Sequence, residues 1–173
     1  MQKIFLIGYM GAGKTAVGKL LAKKMDLTFI DVDVFIENHY RKSITTIFEE
    51  EGEPGFRAIE RRALLELIAF EDTVISTGGG MPCFFDNMDI MNKTGITVYL
   101  KVSVEELVRR LHSGKQKRPL IKDKNAEELY EFVSRSLEKR EVFYGKAAVI
   151  FDVMDGNTDI DADVDKLINK LYT

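Results

Sequence analysis

The chain has 173 residues, of which 45% are hydrophobic and 31% charged, with a formal net charge of −3. This length supports one compact core and is short for two, so we expect a single domain over residues 1–173. The slightly acidic balance argues against a nucleic-acid binder, which usually has a strongly basic face.

The single cysteine, Cys83, excludes an intramolecular disulfide and is typical of a reducing compartment. Met1 runs into the first predicted strand without a signal sequence, and no apolar run is long enough to span a bilayer. We therefore expect a cytoplasmic protein without a membrane partner.

Apolar runs typical of buried strands alternate with segments of helical periodicity along the whole chain. This alternation predicts an α/β fold, a three-layer sandwich in which helices cover both faces of a five-stranded parallel sheet. The expected strands are Lys3–Ile7, Thr28–Asp31, Thr73–Ser76, Thr97–Lys101 and Ala148–Phe151.

The first strand is followed by a glycine-rich stretch at residues 8–15, Gly8-Tyr9-Met10-Gly11-Ala12-Gly13-Lys14-Thr15, of the form G-x-x-x-x-G-K-T. A strand before it and a helix opening at Lys14 are the context of a P-loop, whose backbone N–H groups bind phosphate. Lys14 would reach the β- and γ-phosphates, and the Thr15 hydroxyl would bind Mg²⁺. Kinases, GTPases and motor ATPases all share this loop, so it does not identify the acceptor.

The first helix, predicted over residues 14–25, contains Gly18. A glycine there costs roughly 1 kcal/mol relative to alanine. It marks either close packing against a neighbour or a tolerated defect, and the sequence does not separate the two.

Two acids, Asp31 and Asp33, stand at the carboxyl end of the second strand. Ligands of open α/β sheets bind beyond the carboxyl ends of strands. One carboxylate could support Mg²⁺ through water while the other points at an acceptor hydroxyl. Alternatively, Asp33 is only the N-cap of the next helix.

Residues 34–71 are predicted to be mostly helical, with a break around Gly52–Gly55. The insertion is longer than a crossover requires, which favours a small substrate-holding unit at about residues 33–61. Within it, Arg57 could bind a carboxylate in a bidentate way. Alternatively, Arg57, Arg61 and Glu60 belong to a solvated helix face with ordinary i, i+3 or i, i+4 ion pairs.

The third strand ends in Ser76 and is followed closely by Gly78-Gly79-Gly80. Three consecutive glycines cost chain entropy, and close approach of a ligand explains them better than a plain turn. Ser76 occupies the strand end where many P-loop proteins have a magnesium-supporting acid, so Asp31 becomes the candidate for that role.

Ser103-Val104-Glu105-Glu106 has the pattern of a capping box and predicts a helix through His112. A basic stretch without apolar periodicity follows at about residues 113–124. It suits a lid that brings Arg118 to the transferring phosphoryl group, and a solvated lysine-rich loop is the alternative.

The predicted helix from Ala126 to Tyr144 has Arg140 near its end, from where the side chain could return toward the crevice. The turn at residues 155–158, Asp155-Gly156-Asn157-Thr158, follows the last strand and is placed to contact a nucleotide base.

Taken together, the motifs resemble those of the shikimate kinases, and the resemblance covers essentially the whole chain. The matching segments, in the order of the family, are G-Y-M-G-A-G-K-T-A-V-G at residues 8–18, D-V-D at 31–33, G-F-R-A-I-E at 55–60, G-G-G at 78–80, R-P-L at 118–120 and R-E-V-F-Y at 140–144.

The resemblance implies a P-loop fold like that of the nucleoside monophosphate kinases. It also implies transfer of the γ-phosphoryl group of ATP to the 3-hydroxyl of shikimate, with Mg²⁺. ATP and shikimate would be the partners of a monomer that binds no nucleic acid.

The resemblance also implies roles for individual residues. Lys14, Asp33 and Arg118 would be catalytic, with Asp33 as the candidate base. The nucleotide would contact Gly11, Ala12, Gly13, Lys14, Thr15, Ala16, Arg110, Arg118 and Asn157. Shikimate would contact Asp33, Phe48, Phe56, Arg57, Gly78, Gly79, Gly80 and Arg140. Mg²⁺ would be bound by Thr15 directly and by Asp31 and Ser76 through water. Arg110 is separated from Arg118 by one residue more than in the family.

Two rival classes fit less well. A gluconate kinase would share the P-loop and the lid but is not expected to combine Asp33, Arg57, three glycines and Arg140. A regulatory GTPase would carry N-K-x-D, and Asn92-Lys93-Thr94-Gly95 lacks its aspartate.

Overall fold

The computed structural model describes residues 2–114, 121–156 and 159–173. Within these residues, five strands form one parallel sheet in the order β2-β3-β1-β4-β5. The strands are β1 (Lys3–Ile7), β2 (Thr28–Asp31), β3 (Thr73–Ser76), β4 (Ile96–Lys101) and β5 (Val149–Asp152). The predicted α/β class is confirmed.

The helices of the described residues lie between and after these strands. They are α1 (Lys14–Met25), α2 (Val32–Tyr40), α3 (Ile44–Leu67), α4 (Asn87–Thr94), α5 (Val104–Gly114), α6 (Ala126–Tyr144) and α7 (Ile160–Leu171), with a short 3₁₀ turn at Met81–Cys83. None of them is both long and apolar enough to cross a membrane.

The central strands β1, β3 and β4 are covered on both faces, which explains their nearly continuous apolar sequences. The predicted bounds of β1, β2, β3, α1 and α6 agree with the structure. By contrast, β4 begins one residue earlier, β5 is shifted by one residue, and α5 continues to Gly114 rather than ending at His112.

The sheet topology places the functional segments at one edge. Strands β1 and β3 are neighbours, and their crossovers leave in opposite directions, to β2 and to β4. A crevice forms at such a switch point beyond the carboxyl ends of the strands. Ser76 is the register partner of both Leu6 and Asp31, so the ends of β1, β2 and β3 lie side by side.

The helical insertion begins at Asp31, and the alternative in which Asp33 is only a helix cap is wrong. The Oδ1 atom of Asp31 accepts hydrogen bonds from the N–H groups of Asp33 and Val34, so Asp31 is the N-cap of α2. Asp33 lies inside the first turn and is free of that task. The predicted break is present as a kink in α3 at Gly52, where φ is 67°.

The glycine inside α1 is a packing site. Gly18 is buried, and a Cβ there would lie 2.4 Å from Cε2 of Phe29 on β2. The helix can approach the sheet at this point only because residue 18 has no side chain, so the interpretation as a tolerated defect is wrong.

Candidate active site

The P-loop links the buried strand β1 to α1. Gly11 and Gly13 have φ angles of 84° and 92°, which side-chain-bearing residues rarely adopt. Lys14 folds back over the loop, and its Nζ donates to the carbonyl oxygens of Gly8 at 2.9 Å and Tyr9 at 3.0 Å. These two bonds tie the Lys14 side chain to the backbone of the loop.

A cleft of about 530 Å³ opens over this loop at the carboxyl edge of the sheet. It brings together most of the predicted donor-side residues and part of the acceptor side. Its walls are Met10, Gly11, Gly13, Lys14, Thr15, Ala16, Asp31, Asp33, Ser76, Thr77, Gly78, Gly79 and Arg110. Met10 and Thr77 had not been predicted, whereas the predicted Ala12 has a buried side chain and is only 2% exposed.

Three oxygen-bearing side chains that line the cleft are neighbours of one another. The Thr15 hydroxyl donates to Oδ2 of Asp31 at 3.0 Å, and Asp31 pairs in register with the buried Ser76. Within the described ranges, no group of three or more His, Cys, Asp or Glu side chains could hold a metal ion. A hydroxyl backed by one carboxylate fits Mg²⁺, which usually keeps several waters and binds through substrate phosphates.

Asp33 lines the cleft from the first turn of α2. Burial and the neighbouring charge of Asp31 raise the pKa of Asp33, and the positive charges of Lys14 and Arg57 oppose this rise. A carboxyl group with a raised pKa is better matched to accepting a proton from a hydroxyl.

Arg57 is enclosed by α3 and by the loop after β3. Its Nη1 donates to Oε1 of Glu60 at 2.6 Å, and its guanidinium lies 4.2 Å from the centroid of the Phe84 ring. Glu60 is 1% exposed. The alternative of a solvated helix face is therefore wrong, although the i, i+3 ion pair that it named is present.

The three glycines line a set of charged side chains. A Cβ on Gly78 would lie 2.8 Å from Oε2 of Glu60, and a Cβ on Gly80 would lie 2.6 Å from both Nη atoms of Arg57. At Gly79 the corresponding neighbour is Nη1 of Arg140, at 3.1 Å. The glycine run therefore allows two guanidinium groups and a carboxylate to meet at the backbone.

Arg140 reaches this place from the last turn of α6. Its guanidinium lies 5.1 Å from the centroid of the Tyr9 ring, so it borders the P-loop as well as Gly79. The buried Tyr144, one turn further along α6, donates its hydroxyl to the Gly79 carbonyl oxygen. The end of α6 thus fixes both the glycine run and the arginine.

The aromatic residues predicted to wall the acceptor pocket are in contact. The rings of Phe48 and Phe56 lie 4.4 Å apart between centroids, and Arg57 stands 5.3 Å from the Phe56 centroid. Neither Glu60 nor Phe84 is among the site residues predicted from the sequence. Because Glu60 follows Arg57 at an i, i+3 spacing in a predicted helix, its contact with Arg57 could be predicted. Phe84 lies in a loop without periodicity, so nothing in the sequence indicates its contact with Arg57.

Arg110, on α5, lines the same cleft. Its Nη1 donates to the carbonyl oxygens of Gly11 at 3.3 Å and Ala12 at 3.4 Å. Arg118 and Asn157, the other residues predicted to contact nucleotide, lie outside the residues that the structure describes. These observations define the chain as a P-loop kinase, with a phosphate-binding loop beside a glycine run against which two guanidinium groups lie.

The comparisons with known proteins agree with this class. The family model for shikimate kinase matches residues 10–172. A shikimate kinase of Parabacteroides distasonis is 54% identical over 172 residues, 99% of each chain. The crystal structure of shikimate kinase from Bacteroides thetaiotaomicron superimposes with a TM-score of 0.94 at 46% identity, over 99% of both chains. The shikimate kinase of Acinetobacter baumannii, solved in complex with shikimate, has a TM-score of 0.86 at 33% identity, over 99% of this chain and 93% of that one.

The chain belongs to the shikimate kinase family. It is an enzyme that phosphorylates shikimate, with ATP as the donor. The fold expected from the resemblance, similar to that of the nucleoside monophosphate kinases, is confirmed as well.

Proposed function

We propose that the chain transfers the γ-phosphoryl group of ATP to the 3-hydroxyl of shikimate across the glycine run Gly78–Gly80. The observation that carries this proposal is that the glycine run lies between the phosphate-binding loop and two guanidinium groups. On one side lies the cleft with Lys14 and Thr15, and on the other lie the guanidinium groups of Arg57 and Arg140.

The donor half would be the P-loop side of the cleft. Backbone N–H groups of Gly11–Ala16 and the N-terminus of α1 would hold the phosphates. Lys14 would exchange its bonds to the two loop carbonyl oxygens for the β- and γ-phosphates. In this role Lys14 neutralises the charge that develops during transfer, which is the main requirement of phosphoryl transfer.

The acceptor half would bind shikimate between α3 and α6. Arg57 and Arg140 are suited to a carboxylate, because guanidinium groups can bind one in a bidentate way. Phe48 and Phe56 would form the pocket wall, and the glycines would face the ring. Asp33, between the two halves, would orient the 3-hydroxyl and accept its proton, for which its raised pKa is suited.

Mg²⁺ would be held by the Thr15 hydroxyl, with Asp31 and Ser76 acting through water. The ion would supply positive charge that neutralises the phosphates of the nucleotide. Asp31 would keep the Thr15 oxygen turned toward the ion, as their 3.0 Å hydrogen bond suggests.

We further infer one domain over residues 1–173 that acts as a monomer in the cytoplasm. The support for one domain is a continuous hydrophobic core shared by the strands and the helices of the insertion.

The basic stretch at about 113–124 would be the lid that delivers Arg118. A purified Arg118→Ala enzyme with normal turnover would contradict that role.

A coupled assay of ADP release tests the proposal. Shikimate and gluconate are each offered with ATP and with GTP, and a Lys14→Ala preparation controls for contaminating kinases. We expect rapid turnover only with shikimate and ATP, and phosphorus–proton NMR coupling should place the new ester at position 3. Equal turnover of gluconate, or a phosphate at another hydroxyl, would refute the proposed acceptor site.

A further inference from the structure

Glu106 is a buried acid that none of the roles above uses. It lies in the first turn of α5, and its side chain is 3% exposed. A buried charge is costly unless its oxygens are fully hydrogen-bonded. We therefore expect the Glu106 carboxylate to bind several hydrogen-bond donors and to hold them in place.

Both carboxylate oxygens of Glu106 accept two hydrogen bonds. Oε1 accepts from Nη2 of Arg109 at 2.6 Å and from Nε of Arg110 at 2.7 Å. Oε2 accepts from Nε of Arg109 at 2.8 Å and from the N–H group of Gly156 at 3.4 Å. The bonds from Arg109, opposed by burial and aided by Arg110, lower the pKa of Glu106 to about 2. The arginines therefore favour the charged form of Glu106.

Arg110 is held from two sides as a result. Glu106 fixes Nε, while Nη1 donates to the carbonyl oxygens of Gly11 and Ala12 in the P-loop. These bonds fix the plane of the guanidinium group at the wall of the cleft. Arg109 is bound to the same carboxylate but is 64% exposed, so it covers Glu106 rather than reaching the cleft.

The N-terminus of α5 also binds the turn that follows β5. Ser103 accepts a hydrogen bond from the Glu106 N–H group, which caps α5, and its hydroxyl donates to both Asp155 oxygens at 2.8 Å. The expected capping box is thus only half formed. The Glu106 side chain turns instead to the two arginines and to Gly156, and so links this turn to Arg110.

We propose that Glu106 is a positioning residue for the nucleotide half of the site. It sets the orientation of Arg110 against the bound nucleotide and keeps the Asp155–Gly156 turn beside it. The proposal rests on the proposed function, in which Arg110 contacts ATP. It extends that function because it assigns to Glu106 the task of holding Arg110 in the orientation that contacts ATP.

A double-mutant cycle tests whether Glu106 acts through Arg110. KM for ATP and KM for shikimate are measured for the wild type, Glu106→Gln, Arg110→Ala and the double variant. We expect Glu106→Gln to raise KM for ATP by about fivefold to tenfold and to change KM for shikimate by less than about twofold. In the Arg110→Ala background, the same substitution should change KM for ATP by less than about twofold.

The outcomes separate this proposal from the one on which it rests. If Arg110→Ala leaves KM for ATP unchanged, the proposed role of Arg110 is wrong. If Arg110→Ala raises it but Glu106→Gln does not, or if the two effects multiply, the positioning role of Glu106 is refuted. Glu105→Gln removes a charge from the same turn of α5 and should behave as the wild type.

A second variant covers the case in which Glu106→Gln fails to fold. Arg110→Lys leaves Glu106 and its ion pair with Arg109 in place. The lysine ammonium group, however, cannot donate from fixed positions both to Glu106 and to the P-loop carbonyl oxygens, as the Nε and Nη atoms of arginine do. We expect its KM for ATP to lie within about twofold of that of Arg110→Ala. A wild-type value for the lysine variant would overturn the proposal.

Discussion

The guanidinium group of Arg57 lies against the backbone of Gly80, where a Cβ would be 2.6 Å from both of its Nη atoms. Glu60 binds the same group at 2.6 Å, and the Phe84 ring covers it at 4.2 Å. Arg57 is thus enclosed on three sides. Its position depends on the absence of a side chain at residue 80 as much as on its ion pair.

Gly80→Ala should therefore weaken shikimate binding. The added methyl group would displace the guanidinium from the acceptor pocket, and losing a charge-assisted contact costs about 1.5–3 kcal/mol. We expect KM for shikimate to rise by at least about tenfold and KM for ATP to change little, as measured by steady-state kinetics.

The control for this prediction is Arg57→Ala, alone and with Gly80→Ala. Arg57→Ala should raise KM for shikimate to a similar extent, and the double variant should be no worse than Arg57→Ala because the clash no longer exists. A Gly80→Ala enzyme with the wild-type KM, or two effects that simply multiply, would show that Arg57 is not placed by residue 80.

The stability of the protein should depend on pH through Glu60. Burial raises the pKa of Glu60 from 4.5 to about 7, although the charge and hydrogen bond of Arg57 oppose the rise. Between these two values the folded protein holds a proton that the unfolded chain has lost. The unfolding free energy should therefore fall as the pH rises from 4.5 to 7, by about 3 kcal/mol from this group.

Urea unfolding of the wild type and of Glu60→Gln over this pH range isolates the effect, since glutamine does not titrate. The stability of the wild type relative to Glu60→Gln should decrease with pH and level off above about pH 7. Glu53→Gln is the matched control, because Glu53 also binds Arg57 but its side chain is 57% exposed. Parallel curves for wild type and Glu60→Gln would contradict the raised pKa.

Lys14→Ala should abolish most of the catalysis without affecting the acceptor site. Removing a group that stabilises developing charge costs on the order of a hundredfold or more in kcat. Shikimate affinity measured by calorimetry should stay within about twofold, because Lys14 lies on the P-loop side of the cleft. Lys19→Ala, an exposed neighbour on the same helix, should behave as the wild type. Substantial residual turnover in Lys14→Ala would rule out the proposed role.

The sequence predicted the fold well because its signals are local. Periodicity and the P-loop glycines indicate where β1 and α1 lie without knowledge of the rest of the chain. The partners of Arg57 were less predictable, since Phe84 reaches it through an irregular loop. Asp31 shows a further limit: the pattern D-V-D does not reveal which acid caps α2, because that depends on the chain direction as β2 ends.

Gly18→Ala should destabilise the protein although alanine is the better helix former. The new Cβ would meet Cε2 of Phe29 at 2.4 Å and Cδ1 of Leu6 at 3.1 Å. Overpacking of this kind costs about 1–3 kcal/mol, against a gain of about 1 kcal/mol in helix propensity. Urea unfolding measures the net loss, and Phe29→Leu in the same chain should relieve part of it. A more stable Gly18→Ala protein would show that α1 and β2 are not in tight contact at this point.

The two oxygens of Asp31 perform separable tasks. Oδ1 caps α2 by accepting from Asp33 and Val34, while Oδ2 accepts from the Thr15 hydroxyl at 3.0 Å. Asparagine is as good an N-cap as aspartate, but its amide group cannot accept the Thr15 proton in the place of Oδ2. Asp31→Asn should therefore raise the half-saturating Mg²⁺ concentration several-fold and leave thermal stability nearly unchanged.

Asp31→Ala removes both tasks and completes the comparison. It should show the same loss of Mg²⁺ response and also lose about 1 kcal/mol of stability, the usual cost of deleting a cap. Mg²⁺ titration of kcat and urea unfolding of the two variants distinguish these effects. If Asp31→Asn responds to Mg²⁺ as the wild type does, Asp31 serves only as the helix cap, and the Thr15 hydroxyl is turned toward the ion by something else.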